Sequence, residues 1–100
     1  MARKSLLQRH LKRTALVKKY SIARQVLINE IRNTNSFEKK NQLERKLQRL
    51  PRDSSSTRLR NRCWKTNRSR GIYNDFGLSR HVIREMANEG LIPGLLKSSW

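Results

Sequence analysis

Apolar residues recur at helical spacing through the first third of the chain. Seven of them fall close to one face of an α-helix, namely Leu7, Leu11, Leu16, Tyr20, Ala23, Leu27 and Ile31. Polar and basic residues fill the positions between them. Because an amphipathic helix repeats its apolar face about every 3.6 residues, the pattern predicts a helix over residues 5–32.

A second helical pattern follows after a short polar link. The apolar positions that repeat at helical spacing there are Leu43, Leu47 and Leu50. Asn35 stands three residues before Glu38, which predicts a capping box at the start of the helix. Pro51 cannot continue a helix and marks its end. We therefore predict a helix over residues 36–50, and a basic helical arm over residues 1–50.

The apolar periodicity disappears after the second helix and returns only near the C-terminus. Residues 51–71 are rich in Ser, Thr and Arg, which predicts an irregular loop. In "GIYNDFGLS", the Asn-Asp pair between two aromatic residues predicts a short hairpin or an irregular turn. "SRHVIREMANEG" predicts a short helix from an N-cap at Ser79 to a stop at Gly90, with Val82, Ile83 and Met86 on its inner face. The predicted fold is mainly α, with a small C-terminal knob and tail over residues 72–100.

The charge is distributed unevenly along the chain. Lys and Arg number 24 and Asp and Glu 7, which gives a net charge of +17. Residues 1–32 contain nine basic residues and one acidic residue, and residues 33–50 contain five and two. Residues 52–71 contain seven basic residues and one acidic residue, whereas residues 72–100 contain three of each. A chain this basic is stabilised by binding a polyanion, of which nucleic acid is the commonest. With 35% hydrophobic residues in 100, the core must be small.

An anionic membrane is the alternative polyanion. The basic helix 5–32 would suit a membrane surface, but a membrane-active peptide has no use for the C-terminal knob or the arginine-rich loop. The chain has no apolar run of membrane-spanning length and no secretory signal near its start. Its acid-poor opening is consistent with a transit peptide, although it contains few serines. We therefore expect no membrane partner.

The single cysteine, Cys63, raises the possibilities of metal binding and catalysis. A structural zinc site needs four ligands, and Thr66 stands where the second cysteine of a CxxC pair would be. We therefore expect no metal and no cofactor. Cys63 and His81 are the one combination that could supply a nucleophile and its base, but nothing in the sequence orients them, so we expect no enzyme. A small buried thiol in the knob is the simpler interpretation.

The stretch "PRDSSSTRLRNRCWKTNRSRG" carries the strongest functional signal. Arg58, Arg60 and Arg62 alternate, so in an extended segment they project to one side. Guanidinium groups bind phosphate bidentately and stack on bases, while hydroxyl groups bond phosphate or 2′-hydroxyl oxygens. Trp64 either stacks on a base or lies in the core beside Cys63, and we expect burial. RNA is favoured over DNA because the sequence indicates no recognition helix or dimer interface.

The motifs "LPRDSS", "RNRC", "FGLSR" and "REMA", in that order, together with the "SSW" end, resemble the small-subunit ribosomal protein fourteen family, the universal S-fourteen family. The resemblance covers all 100 residues. It implies a structural constituent of the ribosome that binds ribosomal RNA in the head of the small subunit, beside neighbouring head proteins. It implies neither a small-molecule substrate nor a homo-oligomer. The chain looks most like plastid versions, which implies a chloroplast ribosome, with a bacterial cytoplasm second and a mitochondrion third.

The family includes short members with a zinc ribbon and long members without metal. The zinc ligands would fall on Cys63, Thr66, Ser79 and Val82, of which only the first can bind zinc well. The resemblance thus implies the long, zinc-free type, with a degenerate zinc-ribbon-like turn held by packing and hydrogen bonds. Where the family has glycine in a Thr-Gly-Arg-Pro turn, this chain has Asn67, which tolerates a left-handed backbone.

The RNA-contacting stretches of the family carry over onto three groups of residues. In the arm they are Arg3, Lys4, Arg9, Lys12 and Arg13. In the loop they are Arg52, Ser54, Arg58, Arg60, Arg62, Arg68 and Arg70. Near the C-terminus they are Arg80, Lys97 and Trp100. The resemblance therefore implies an extended RNA-binding segment over residues 51–71, with further contacts from the arm and the knob.

Overall fold

The protein is mainly helical, and a computed structural model describes residues 2–99. Its elements are, in chain order, α1 (Lys4–Asn33), α2 (Phe37–Arg49), two consecutive 3-10 turns (Arg52–Ser54 and Ser56–Arg58), β1 (Ile72–Tyr73), β2 (Leu78–Ser79) and α3 (Arg80–Asn88). The predicted mainly α fold, with basic helices, an irregular loop and a small C-terminal knob, is confirmed. The chain divides into two compact units, residues 8–59, and residues 60–99 together with residues 2–7.

Helix α1 extends one residue beyond the predicted range at each end. Its half-buried positions within the unit 8–59 are His10, Arg13, Leu16, Val17, Tyr20, Arg24, Leu27 and Ile31. They recur every three or four residues, as expected for one helix face. Two members of the predicted stripe, Leu11 and Ala23, are exposed. The covered face therefore includes two arginines that the apolar pattern did not predict.

Helix α2 begins one position later than the predicted capping box requires. Its N-cap is Ser36, with φ −77° and ψ 124° and no hydrogen bond from its side chain. The first helical residue is Phe37, which places Glu38 at the second helical position, whereas a capping box needs the third. The predicted cap at Asn35 is therefore wrong. The helix ends at Arg49, one residue before the predicted end, because Leu50 has the extended conformation that precedes a proline.

The 3-10 turns after α2 are fastened by a side chain of α1. Ser54 is 1% exposed, and its amide donates to the Pro51 carbonyl at 3.0 Å. From α1, the Arg24 guanidinium donates to Ser54 Oγ at 2.9 Å and to the Pro51 carbonyl at 3.1 Å. These bonds satisfy polar groups that would be costly to leave unpaired in a buried turn.

The C-terminal unit is built on a small core beneath a two-stranded hairpin. The core consists of Cys63, Leu78 and Val82, at 0%, 4% and 2% exposed, with Ile72, Ile83 and Met86 packed against them. The strands are antiparallel, and Ile72 pairs with Ser79. The predicted short hairpin and the predicted inner face of the third helix are therefore confirmed.

Helix α3 begins and ends at the predicted residues. Ser79 is the N-cap, although its side chain makes no capping hydrogen bond. At the C-terminus, Gly90 has a φ of 71°, and its amide donates to the Ala87 carbonyl at 3.2 Å. The Leu91 amide donates to the Met86 carbonyl at 2.9 Å. The two bonds form a Schellman motif, which requires the left-handed backbone that glycine adopts without strain.

Candidate nucleic-acid interface

The predicted RNA contacts of the arm lie on the N-terminal part of α1 or just before it. Four of these five residues are exposed, namely Arg3, Lys4, Arg9 and Lys12. Arg13 is half-buried, and its Nε lies 3.4 Å from Asp53 Oδ1. The Arg13 guanidinium therefore pairs with an acid of the protein itself, whereas the side chains of the other four residues face solvent.

Asp53 is the one acid in residues 52–71, and two arginines neutralise it. Arg58 donates from Nη1 to Asp53 Oδ1 at 2.9 Å. This hydrogen bond from Arg58 is the main cause of a lowered pKa of the Asp53 carboxyl, and it prevails over the opposing effect of burial. The positive charge of Arg13 lowers the pKa further. The carboxylate therefore stays ionised and partly neutralises Arg13 and Arg58, two arginines that the sequence analysis assigned to RNA contacts.

Residues of the first half of the predicted loop face in different directions. Arg52 is exposed, whereas Ser54 is buried and its hydroxyl is bonded to Arg24 and to the Pro51 carbonyl. A shallow groove of about 570 Å³ lies beside this turn, and its basic lining residues are Arg24, Arg52 and Arg58. The Ser54 hydroxyl thus stabilises the turn, and the neighbouring arginines give the groove its positive charge.

Two arginines of the second half reach back to carbonyl groups of their own loop. Arg60 donates from Nε to the Ser69 carbonyl at 3.0 Å, and Arg62 donates from Nη1 to the Asn67 carbonyl at 3.0 Å. A guanidinium has five N–H donors, so each group keeps further donors after it has been oriented. Arg60 is exposed and Arg62 is half-buried.

The predicted projection of Arg58, Arg60 and Arg62 to one side of an extended segment does not hold for all three residues. Arg58 ends the second 3-10 turn, whereas projection to one side requires an extended segment. That prediction is wrong for this residue because hydrogen bonding to Asp53 favours the turn. Further along the loop, Arg68 donates from Nε to the Arg70 carbonyl at 3.0 Å, and both residues are exposed.

A tight turn around Cys63 supports this part of the loop. The Cys63 amide donates to the Arg68 carbonyl at 2.9 Å, and the Asn67 amide donates to the Cys63 carbonyl at 2.8 Å. Asn67 has a φ of 58°, so the left-handed backbone expected at this position is confirmed. Asparagine adopts this conformation at lower cost than most side chains, and the turn is kept without glycine.

The four positions that correspond to zinc ligands come together around the Cys63 thiol. Burial raises the pKa of this thiol, but the nearby Thr66 hydroxyl and the backbone N–H groups of Thr66, Ser79 and Lys65 lower it to about 6. Val82 packs in the same core and offers no ligand atom. In residues 2–99, no group of three or more His, Cys, Asp or Glu could hold a metal ion. The donor set therefore does not fit zinc.

The interior around Cys63 also contains no catalytic pair. The thiol is 0% exposed, and its hydrogen bonds come from Thr66, Ser79 and Lys65. His81 is exposed. A nucleophile must be reached by its base and by a substrate, and this thiol is covered by the core.

Trp64 is 67% exposed, so its predicted burial is wrong. The Cys63 side chain fills the core position, and the next residue faces outward. The Trp64 amide donates to the Gly77 carbonyl at 3.2 Å, and the edge of its indole ring lies beside Gly77, where a Cβ atom would be 3.6 Å from Trp64 Cδ1. The sequence offered only the neighbourhood of apolar residues, which does not determine which of two adjacent side chains is buried.

The remaining predicted contacts lie at α3 and the tail. Arg80 is exposed, and its stem passes over Gly71, where a Cβ atom would lie 3.4 Å from the Arg80 Cδ. Lys97 donates from Nζ to Asn88 Oδ1 at 2.7 Å. Trp100 lies outside the described residues. The sequence did not single out Tyr73 or Phe76 as functional, although both rings are largely exposed on the hairpin.

These features define a class of protein. Exposed cations line the arm and the loop, and loop arginines are oriented by backbone carbonyls. None of the helices within residues 2–99 has both the length and the apolar content needed to cross a membrane. The fold and the site are those of a small, basic nucleic-acid-binding protein.

Comparison with known proteins specifies the class. Residues 46–99 match the family described as ribosomal protein S14p/S29e. Over the full length of both chains, the protein is 59% identical to small ribosomal subunit protein uS14 of Acaryochloris marina and 59% identical to uS14c of Emiliania huxleyi. It is 54% identical to uS14c of Cyanidium caldarium, again over both full chains. The chain therefore belongs to the ribosomal protein S14p/S29e family, and the resemblance inferred from the sequence is confirmed. It is a structural constituent of the small ribosomal subunit and not an enzyme.

Proposed function

We propose that the protein binds ribosomal RNA in the head of the small subunit of a chloroplast ribosome and helps that head to assemble. A bacterial ribosome is the alternative setting. Relatives named uS14c in Emiliania huxleyi and Cyanidium caldarium support the first setting, and a relative named uS14 in Acaryochloris marina supports the second. No small-molecule substrate, cofactor or membrane enters this function.

The observation that carries the proposal is the oriented arginine loop. Arg60, Arg62 and Arg68 each use a guanidinium donor on a carbonyl of the loop at 3.0 Å. Their remaining donors are directed by a backbone that is already folded. Preorganised guanidinium groups bind phosphate with a smaller loss of conformational entropy than free side chains. The loop is therefore suited to a fixed arrangement of phosphates.

The proposed contacts follow the segments implied by the family. Residues 51–71 provide the main RNA surface, and residues 1–50 and 72–100 provide further contacts. The exposed cations proposed to face phosphate are Arg3, Lys4, Arg9, Lys12, Arg52, Arg58, Arg60, Arg68, Arg70, Arg80 and Lys97, with the half-buried Arg62 beside them. The half-buried Arg13, which pairs with Asp53, and the buried Ser54, which bonds to Arg24, support the surface from within.

The proposed protein partners are neighbouring proteins of the head, with one copy of this chain in each subunit. The outward side of α1 supports this. Ile22 and Val26 are 77% and 49% exposed, and they are four residues apart, so they lie on one face. A neighbouring protein that covers them would remove apolar surface from water.

Crosslinking in cells tests the proposal. A tagged copy is irradiated with ultraviolet light, and the RNA attached to it is sequenced. We expect reads in the head domain of small-subunit ribosomal RNA, and the source of that RNA identifies the compartment. Reads scattered over messenger RNA, or no reads above an untagged strain, would contradict the proposal.

A matched pair of variants tests the role of the loop. One replaces Arg60, Arg62, Arg68 and Arg70 with Gln, and the other replaces the exposed Lys39, Lys40, Arg45 and Lys46 of α2 with Gln. Both lose four positive charges. We expect the loop variant to enter small subunits less than half as well as the α2 variant. Equal incorporation would mean that total charge, and not the oriented loop, determines binding.

A further inference from the structure

A groove lies between the hairpin, α3 and the C-terminal tail of the second unit. Its volume is about 890 Å³, within the range of about 300–1,000 Å³ that is typical of small-molecule sites. It is lined by two aromatic rings, Tyr73 and Phe76, and by three long basic side chains, Arg80, Arg84 and Lys97. No Asp or Glu lines it. An occupant must therefore combine negative charge with a flat apolar surface.

The two rings are exposed on a well-defined backbone. Tyr73 is 55% and Phe76 41% exposed. The Tyr73 carbonyl accepts hydrogen bonds from the amides of Phe76 and Gly77, at 3.2 and 2.8 Å. The turn that carries the rings is thus fixed by main-chain bonds. Aromatic side chains on a rigid turn offer a stacking surface at low cost in conformational entropy.

The basic side chains of the groove have no acidic partner within residues 2–99, where both ion pairs involve Asp53. Lys97 is held at the edge by its bond to Asn88, and Arg80 by its stem over Gly71. Arg84 lies one turn further along α3. These cations are placed to bind an anion and are not neutralised by the protein itself.

We propose that the groove holds one unpaired nucleotide of RNA, with its base against Tyr73 or Phe76 and its phosphate against Arg80, Arg84 and Lys97. This inference rests on the proposed function and names the kind of RNA element that the unit containing residues 60–99 binds. An A-form helix presents phosphates and 2′-hydroxyl groups, but its base faces are stacked inside. Only an unpaired base offers a face to an aromatic ring. Cations alone would suit a helix, whereas the exposed rings favour an unpaired nucleotide.

Binding measurements with the full chain test the stacking. The probe is a transcript of the head domain of small-subunit ribosomal RNA, titrated at several salt concentrations. We expect Phe76→Leu or Tyr73→Leu to weaken binding by roughly 5- to 100-fold while the salt dependence stays unchanged, because no cation is lost. Tyr73→Phe keeps the ring and should bind within about twofold of the wild type. Phe37→Leu, at a ring that is 78% exposed on α2, is the matched control and should have no effect.

A charge variant gives an independent readout. Arg84→Gln should weaken binding and lower the slope of log K against log salt by about 0.7–0.9, the value for one lost phosphate contact. Slow amide exchange at Gly77 verifies the hairpin in each variant. If Phe76→Leu and Tyr73→Leu both bind as tightly as Phe37→Leu, or if Tyr73→Phe is as weak as Tyr73→Leu, the inference is overturned.

Crosslinking at 254 nm in assembled small subunits, followed by mass spectrometry, identifies the occupant. We expect a single nucleotide attached to Tyr73 or Phe76, at a position that chemical probing shows to be unpaired. Attachment to a base-paired nucleotide, or a crosslink from the groove to a neighbouring protein, would overturn the inference. If the wild type does not bind the head transcript specifically, the proposed function fails. If binding persists in the leucine variants, only the groove inference fails.

Discussion

At the scale of single residues, the Cys63 thiol is fully buried and yet favours its ionised form. Burial alone raises the pKa of a thiol, but the nearby Thr66 hydroxyl and the backbone N–H groups of Thr66, Ser79 and Lys65 lower it to about 6. Thr66 and Ser79 stand at two of the positions that the resemblance seen in the sequence assigned to zinc ligands. Hydrogen-bond donors thus stabilise a thiolate at the position where a metal ion would do so.

Titration of the thiolate absorbance near 240 nm tests this environment. We expect a midpoint at about pH 6 in the folded protein, against an ordinary thiol pKa of 9.0, which urea should restore. Thr66→Val removes the hydroxyl donor and should raise the midpoint. Cys63→Ser provides the blank. A midpoint near pH 9 without urea would show that the donors do not act on the thiol.

The lowered pKa also makes stability depend on pH. The folded pKa lies below the unfolded one, so the stabilisation is complete above pH 9.0 and is lost as the pH falls through about 6. Urea unfolding of the wild type and Cys63→Ser should therefore diverge as the pH rises from 6 to 9, by about 1.4 kcal/mol for each unit of pKa difference. A constant difference over this range would contradict the prediction.

At the scale of secondary structure, the 3-10 turns after α2 depend on a contact made from another element. Arg24 bonds Ser54 and Pro51 across about thirty positions of the chain. A hydrogen bond to a charged group contributes about 1.5–3 kcal/mol, which is large for a turn of three residues. The two 3-10 turns contain Arg52 and Arg58, so their geometry determines where these two arginines lie.

Ser54→Ala should loosen the turn without removing any charge. The Arg24 guanidinium loses one of its two partners, so we expect the amides of residues 54 and 55 to exchange at least tenfold faster, measured by hydrogen exchange in the RNA-bound protein. Ser56→Ala alters an exposed serine of the adjacent turn and should leave the exchange unchanged. Equal exchange in both variants would mean that the turn is held by its backbone alone.

These elements show which features of the fold can be predicted from the sequence. Helix α1 and the third helix were predicted because their apolar residues repeat at helical spacing. The turn at Asn67 was predicted because the resemblance implied glycine there and asparagine also tolerates a left-handed backbone. The bond between Arg24 and Ser54 was not predicted, since it joins residues that share no local pattern. Trp64 was misassigned because its apolar neighbours favoured placing both Cys63 and Trp64 in the core, whereas only Cys63 is buried.

At the scale of the whole molecule, a large charge is combined with a very small core. The net charge is +17, and among residues 2–99 only Cys63, Leu78 and Val82 are buried apolar side chains. Mutual repulsion of the cations opposes compact structure, and this core offsets little of it. RNA phosphates would remove the repulsion.

Amide hydrogen exchange with and without RNA should reveal this dependence. In low salt, we expect the isolated protein to be partly disordered, with α1 the least protected element and residues 72–99 the best protected part. Addition of the head-domain transcript should protect α1 at least tenfold, whereas an equal concentration of heparin, a polyanion without bases, should protect it less. Full protection of α1 without RNA would contradict the prediction.

The hydrogen bond from the Ala2 amide to the Thr66 carbonyl, at 3.4 Å, has a consequence for synthesis of the chain. Residues 2–7 are synthesised before residues 8–59, but the unit to which they belong is completed after residues 8–59. Residues 8–59 form their own unit and emerge in between, so they are able to fold earlier, as units commonly do during synthesis. Until Thr66 emerges, the Ala2 amide lacks the Thr66 carbonyl, and the exposed Arg3 and Lys4 beside it are available to nearby RNA. This bond therefore forms only after residues 8–59 have been synthesised, and the segment of chain that it closes includes most of the protein.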